Sequence, residues 1–424
     1  MALQQQQASC ESLPALLWGR SVGQRCPRTV WNRLRTQQNM TLRHNDRIVS
    51  PHRKNISSLN MDRTEGRFLL AGSSDATLSI YDLSPWGRQP CDQYQVENHR
   101  PTSVYKPVAQ SLRSTTDAPG HSSSIVRAEW YAFDTGAFVS GSSDGALVVW
   151  DTQAMQPVVQ WQPFSTISSF HLSKSSGRSE SLLAVGSKDD TMVKLVDLRS
   201  GAASHTLIGH GRGITSVQWC PTCDVVMASA SLDGTVRLWD IRQAGSRATI
   251  TTLDREESSP FPLRPYRSDY RHLRSRQKKG PNAYQDTSTV SSHSGPVMGV
   301  SFTPDGQFLV SCGVNQLQLW DLRSRGHLVT RQFSGSAQAP LLVVGRHVWM
   351  PYSNTKIGAY SLDQGGPPQQ VLDGHLGRVT ALEYFNDNLQ LLSGGTDGMI
   401  LMWGSQRQQQ PPIPQQPQSK RQRR

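Results

Sequence analysis

Two runs of alternating apolar and polar residues meet at Asp233-Gly234. Met227-Ala228-Ser229-Ala230-Ser231 lies before the pair and Thr235-Val236-Arg237-Leu238-Trp239 after it. Period-two alternation on either side of Asp-Gly predicts a β-hairpin. Gly209-His210 opens the unit and Trp239-Asp240 closes it. A histidine arriving from the entry loop can hydrogen-bond both a strand serine, Ser229, and the turn acid, Asp233. The indole N–H of a buried Trp239 needs an acceptor, and the Ser229 hydroxyl can supply it. Such a network would hold the turn against its own strands.

The pattern recurs. His121 precedes Ser140, Asp144 and Trp150, and His375 precedes Ser393, Asp397 and Trp403. His293 precedes Ser311 and Trp320, with Asn315 near the place of the turn acid. Asp75 stands six residues before Tyr81 and Asp190 six before Val196, the spacing that separates Asp from Trp in the complete copies. A last copy, Val348-Trp349-Met350-Pro351 to Ile357-Gly358-Ala359-Tyr360, keeps the apolar alternation without the polar residues. The closing positions 81, 150, 196, 239, 320, 360 and 403 are 69, 46, 43, 81, 40 and 43 apart. Four intervals match the repeat of about 40–45 residues of four-stranded propeller blades. The long ones place insertions at about 84–119 and 243–291. The expected fold is therefore all-β, a seven-bladed WD-repeat β-propeller with an N-terminal helical extension. The chain turns to Gln and Pro soon after Trp403, so the seventh blade lacks an outer strand of its own. Residues 41–49 are the expected donor that closes the ring. The resulting division is a helical extension over 1–40, the propeller over 41–404 and a tail over 405–424.

Ahead of the ring, Ser12 can cap a short helix carrying Leu13, Leu16, Leu17 and Trp18. Pro27 suits the start of a second, with Val30, Trp31 and Leu34 on one side. An apolar helix pair with no core of its own points to docking on a partner. The alternatives are folding back on the propeller rim and an Arg-rich presequence. Composition narrows the picture further. The net charge of +12 gathers outside the repeats: in the first 54 residues, in Arg264 to Lys279 with Tyr266 and Tyr270 among them, and in Lys420-Arg421-Gln422-Arg423-Arg424. Such clusters can meet nucleic-acid phosphates, though a solvated loop explains the internal one as well and makes any direct contact a weak one. The last reads as a nuclear-localisation patch, so the expected location is the nucleus. The Gln/Pro stretch 406–418 is too poor in apolar groups to fold. No apolar run approaches the roughly 18 residues of a membrane span. Cys220-Pro221-Thr222-Cys223 has no second pair at zinc spacing and falls in a predicted turn. No phosphate-cradling glycine loop, nucleophile elbow or H-E-x-x-H is present, so the residues support neither catalysis nor a cofactor.

The fourth blade ends Trp239-Asp240-Ile241-Arg242, the fifth Trp320-Asp321-Leu322-Arg323 and the third Val196-Asp197-Leu198-Arg199. An arginine so placed can pair with its own blade's Asp or reach a partner's carboxylate. This ending resembles the box of substrate receptors of cullin-4 ubiquitin ligases. The resemblance extends to the Cockayne syndrome group A family across residues 12–404. It is carried by Asn55-Ile56-Ser57-Ser58-Leu59, by 65–75 (Glu-Gly-Arg-Phe-Leu-Leu-Ala-Gly-Ser-Ser-Asp), by 130–138 (Trp-Tyr-Ala-Phe-Asp-Thr-Gly-Ala-Phe) and by Val348-Trp349-Met350-Pro351-Tyr352. The basic 243–291 insertion and the Gln/Pro tail depart from that family's pattern. The resemblance implies a non-catalytic receptor in transcription-coupled nucleotide excision repair. Its partners would be the adaptor damage-specific DNA-binding protein 1, cullin-4 and a RING subunit. The transcription–repair coupling factor and stalled RNA polymerase II would be its substrates. Leu13, Leu16, Leu17, Trp31, Leu34 and Arg242 would then meet the adaptor. The competing expectation is a nuclear WD-repeat scaffold that binds other peptides without a ligase.

Overall fold

The structure is a computed structural model that describes residues 40–43, 46–84, 89–90, 103–111, 113, 120–174, 181–243, 245–253, 292–314, 316–322, 326–332, 340–362, 366–385 and 390–405. It is a seven-bladed β-propeller. Blade 4 shows the plan. Its strands Ile214–Trp219, Val226–Ser231, Val236–Asp240 and Thr249–Leu253 pair antiparallel in sequence order, from the central channel to the rim. Gly234, at φ 82°, makes the turn between the second and third strands, where a side chain would be strained. The inner strands of the other blades are Ile56–Met61, Ile125–Trp130, Ser169–Leu172, Val297–Phe302, Leu342–Val344 and Val379–Phe385.

The middle strands of each blade are buried on both faces, and each face packs on a neighbour. The buried apolar residues fall into seven clusters, one at each junction. Val236 and Leu238 meet Val297 and Leu309 between blades 4 and 5, while Trp239 meets Val193 and Leu207 of blade 3. Two glycines show how tight the junctions are. A Cβ on Gly186 would lie 2.6 Å from Ile214 Cγ2, and one on Gly394 2.6 Å from Ile56 Cγ2. The isoleucine that begins an inner strand seats where the preceding blade has no side chain.

Closure follows the expected route and then goes beyond it. Met40–Leu42 pairs antiparallel with Ile400–Ser405, and Ile48 of the strand Asp46–Ile48 pairs with Ile400. The two pieces are separated by a bend in which Arg43 Nη1 donates to Asp46 Oδ2 at 2.9 Å. The Gln370 side chain of blade 6 holds the Met40 backbone from both sides, donating to its carbonyl and accepting from its N–H. The inserted region 84–119 also builds sheet. Ser103–Tyr105 adds in parallel to Asp46–Ile48, and Gln89–Pro90 adds to Ser103–Tyr105. Pro107–Ser111 then supplies the outer strand of blade 1. Likewise the start of the 243–291 region gives blade 4 its outer strand, Thr249–Leu253. The helical extension expected over 1–40 lies outside the described residues, apart from Met40, as do the basic segment 264–279 and the tail from 406.

Candidate functional site: the repeat networks, the strand-exit face and the channel

The network in blade 4 is complete. His210 Nε2 hydrogen-bonds Ser229 Oγ at 2.6 Å, and Trp239 Nε1 donates to the same oxygen at 2.7 Å. On its other side His210 Nδ1 lies 2.9 Å from Thr235 Oγ1 and 3.2 Å from Asp233 Oδ2. Burial alone would raise the Asp233 carboxyl, but His210, Thr235 and the Gly211 N–H hold it well below the usual carboxylate range. Burial pushes the His210 imidazole down. Blade 7 repeats this with His375, Ser393, Asp397 and Trp403: His375 Nδ1 to Asp397 at 3.0 Å, Nε2 to Ser393 at 2.8 Å, and Trp403 Nε1 to Ser393 at 2.7 Å.

Blade 2 keeps only half of the arrangement. His121 bonds Ser140 at 2.5 Å and Trp150 donates to Ser140 at 2.7 Å, but His121 Nδ1 has no partner among the described residues. Asp144 is held by the Ser122 and Ser142 hydroxyls instead, so the expected His–Asp bond is absent here. A hydroxyl on the entry loop has taken the place of the ring nitrogen. In blade 5, His293 and Trp320 both meet Ser311, at 2.7 and 2.8 Å; Asn315 is outside the described residues.

One network was missed in the sequence. His52 Nδ1 lies 2.6 Å from Thr77 Oγ1, which donates to Asp75 at 2.5 Å. His52 follows Pro rather than Gly, which hid it. Its distance to the closing aromatic would have revealed it: His52 to Tyr81 is 29 residues, as are His121 to Trp150 and His210 to Trp239. The strand serine is replaced by Ala71, and His52 Nε2 is accordingly buried without a partner among the described residues. Blade 3 carries Ile167 where the entry loops of blades 1, 2, 4, 5 and 7 carry histidine; Thr166 bonds Asp189 at 2.6 Å and Ser187 at 2.8 Å. Beside it opens a cavity of about 460 Å³ lined by Gln162, Phe164, Asp189, Asp190 and Lys194. Lys194 Nζ is engaged, donating to the Pro163 carbonyl at 2.6 Å and lying 4.1 Å from the Phe164 ring centre.

The opposite face carries the loops that leave the first and third strands. Here Arg242 forms a two-pronged fork on its own blade: Nε to Asp240 Oδ1 at 2.8 Å and Nη2 to Asp240 Oδ2 at 2.6 Å. The pair lies at the surface, with the Arg242 side chain 34% exposed. Arg199 is also exposed, and its backbone N–H bonds Asp197 at 3.0 Å. Arg323 lies outside the described residues, and so do Leu13, Leu16, Leu17, Trp31 and Leu34. Blade 1 has a fork that the Asp-x-Arg pattern does not reveal, because its arginine precedes the second strand. Arg67 grips Asp82 at 3.0 and 2.6 Å, which pulls the Asp82 carboxyl down to about 2. Cys220 and Cys223 sit as free, buried thiols in the turn between the first two strands of blade 4. Among the described residues no group of His, Cys, Asp and Glu is placed to hold a metal ion.

The inner strands join around the channel through their side chains. Asn60 Oδ1 accepts from Trp130 N at 2.9 Å, Glu129 Oε2 from Leu172 N at 2.7 Å, His171 Nδ1 from Trp219 N at 3.3 Å, and Gln218 Oε1 from Phe302 N at 2.6 Å. Each bond runs from one blade to the next in order. Thr380 Oγ1 joins blade 7 to blade 1 by donating to Ile56 O at 2.5 Å.

Against this geometry the family model for the WD domain, G-beta repeat, matches residues 111–151, 201–240, 284–321 and 366–404. These spans include the third-strand tryptophans of blades 2, 4, 5 and 7. The chain is a seven-bladed propeller with WD repeats over these spans. WD repeat-containing protein ATCSA-1 of Arabidopsis thaliana is 28% identical over 425 residues, covering 88% of this chain and 90% of that protein. A guanine nucleotide-binding protein subunit beta of Nicotiana tabacum is 25% identical over 317 residues, 67% of this chain and 82% of that one. Radiation-sensitive protein 28 of Saccharomyces cerevisiae is 27% identical over 128 residues, 29% of this chain and 25% of that protein. Propellers of this repeat are in general non-catalytic scaffolds, and two of these relatives are named as a repeat and a G-beta protein.

Proposed function

We propose that this WD-repeat propeller is the substrate-recognition subunit of a cullin-4 RING ubiquitin ligase acting in transcription-coupled nucleotide excision repair in the nucleus. The observation that carries the reading is the reach of the match to ATCSA-1. It spans 88% of this chain, whereas the G-beta relative spans 67%. A relative that aligns over more than the shared repeats constrains function more than fold alone does. Residues outside the repeat consensus, among them Tyr131 to Gly136 and Met350-Pro351-Tyr352, carry the resemblance to the Cockayne syndrome group A family. The rate effect of such a receptor is proximity: it holds a substrate near a ubiquitin-charged enzyme and supplies no reacting group.

In this reading the adaptor, damage-specific DNA-binding protein 1, docks on the face that carries Arg242, together with Leu13, Leu16, Leu17, Trp31 and Leu34. The Asp240 fork presets the guanidinium, so an incoming carboxylate meets an ordered side chain. Co-purification with the adaptor tests this. The full chain is expected to bind, and a chain lacking residues 1–35 is expected not to bind while remaining folded. Arg242→Ala should weaken binding roughly tenfold, about 1.4 kcal/mol, with little change in melting temperature. Failure of the full chain to bind at micromolar adaptor would sink the proposal. The second reading, a nuclear scaffold without a ligase, draws on the fold shared with G-beta subunits. Pull-downs that return partners but no cullin component would select it.

A further inference from the structure

One side of the channel carries charge that the ring of inter-blade bonds does not use. The fifth position of each inner strand, counted from its seating residue, is Asn60, Glu129, His171, Gln218, Ser301 and Glu383 in blades 1, 2, 3, 4, 5 and 7. The first four of these side chains accept from the next blade's backbone. Glu383 makes no hydrogen bond or ion pair among the described residues. Three residues beyond Asn60 and His171 stand Arg63 and Lys174, at the mouth where the inner strands end. Neither has a hydrogen-bond or ion-pair partner among the described residues. Arg127, by contrast, is neutralised within its own strand: its Nη2 lies 2.5 Å and its Nε 2.8 Å from Glu129 Oε1. His171 Nε2 comes within 3.9 Å of the same carboxylate.

Electrostatics joins these groups into one cluster spanning blades 7, 1, 2 and 3. Burial lowers the Lys174 ammonium to about 8, and facing Arg63 lowers it too, while Glu129 and Glu383 oppose the shift. Burial raises the Glu383 carboxyl, and burial alone would raise Glu129, yet Arg127, His171, Lys174 and the Leu172 N–H bring Glu129 down to about 2. Burial keeps His171 neutral, far below its ordinary value. With Arg127 and Glu129 cancelling, the unpaired set is two cations against one carboxylate. A low-dielectric wall strengthens such a field.

We propose that this mouth of the central channel binds an acidic peptide segment, with a Glu or Asp carboxylate taken between Lys174 and Arg63 and with Glu383 tuning the affinity by repulsion. An anion placed there gives Lys174 the acceptor it lacks, which makes the contact charge-assisted and strong for its size. The site does not depend on the ligase reading, since no adaptor residue enters it. It shares the strand-exit face with Arg242 but sits at the channel mouth, where first strands end, rather than behind a third strand.

The test is fluorescence anisotropy with the full chain and a fluorescein-labelled glutamate-rich peptide, its glutamine counterpart serving as control. The glutamate peptide is expected to bind and the glutamine peptide not to. Lys174→Ala should weaken binding by about tenfold and Glu383→Gln should tighten it by about threefold, a pair of opposite signs that general misfolding does not produce. Lys356→Ala, which removes a surface cation already paired with Asp373 at 2.8 Å, should leave affinity unchanged. Affinity should also fall as pH rises from neutral through the Lys174 value of about 8, because the ammonium loses its charge there. Equal binding by both peptides, or parental affinity in both the Lys174 and Glu383 variants, overturns the proposal. Tighter, Lys174-dependent binding of a single-stranded oligonucleotide that displaces the peptide overturns the choice of ligand.

Discussion

Blades 4 and 6 have the same strands and opposite internal chemistry. In blade 4 every polar atom of the set is matched: Trp239 to Ser229, Ser229 to His210, and His210 to Thr235 and Asp233. In blade 6 the large buried side chains are Trp349 and Tyr360, and among the described residues the Trp349 indole N–H has no acceptor. Both blades bury apolar residues against both of their neighbours. Apolar alternation is therefore sufficient to build a blade in this ring. The hydrogen-bonded set adds a fixed position for one loop, since His210 and Asp233 tie the entry loop to the turn. A buried indole N–H left unmatched costs roughly 1–3 kcal/mol, which the packing of blade 6 offsets.

The sharpest way to break this comparison is at the closure, where the last blade borrows its edge. Removing residues 1–49 takes away Met40, 2% exposed, and Ile48, 6% exposed, together with the strand that carries Ser103–Tyr105. The melting temperature should fall by more than about 10 °C, because a loss of several kcal/mol moves a domain of this size by that order. A chain lacking only residues 1–39 should melt near the parent. Equal melting of the two truncations would show that these strands do not hold the ring.

Acid comes next. The His121 imidazole is driven down to about 4 by burial, against the pull of Asp144. The unfolded chain binds that proton near its ordinary value of 6.5 and the folded chain does not, so stability is complete above about 6.5 and declines as pH falls toward 4. The loss from this residue is on the order of 3 kcal/mol. Thermal melts from pH 7 to 4 should show the decline, and His121→Asn should flatten it. An unchanged slope in the variant would mean that other groups carry it.

Replacing each tryptophan by phenylalanine addresses the two blades directly. Trp239→Phe leaves Ser229 without its indole donor and should cost about 1–2 kcal/mol. Trp349→Phe removes a donor that has no acceptor and should cost less than about 1 kcal/mol, the packing change alone. Denaturant midpoints read the difference, and equal shifts would deny the networks a role in stability. The smallest effect separates the complete copy of blade 4 from the partial one of blade 2. Asp233→Ala strips bonds from His210, Thr235 and Gly211, whereas Asp144→Ala strips none from a histidine. The blade 4 variant should lose about 1 kcal/mol more, again by denaturant midpoint.

Much of the fold was legible because the repeat is local. Asp-to-Trp spacing, the Asp-Gly turn and the alternation of Met227 to Trp239 all act within one hairpin, and local spacing is what a chain displays. His52 was equally local and was overlooked only because Pro replaces Gly before it. The half-networks of blades 2 and 3 were not legible. Whether His121 or Ser122 reaches Asp144 depends on the path of an entry loop, and the residue types allow either.

By itself the sequence determined the number of blades, the strands that build each of them and the residues that meet inside a hairpin, because those contacts form between near neighbours along the chain. Only the tertiary structure decided what crosses from blade to blade. Ser103–Tyr105 lies beside Asp46–Ile48 in parallel, Thr380 bonds Ile56 across the closure, and Lys174, Arg63 and Glu383 share one mouth of the channel. These residues come together only when the ring closes. Their spacing along the chain carries no trace of it, since the distance between them is set by the curvature that seven packed sheets impose.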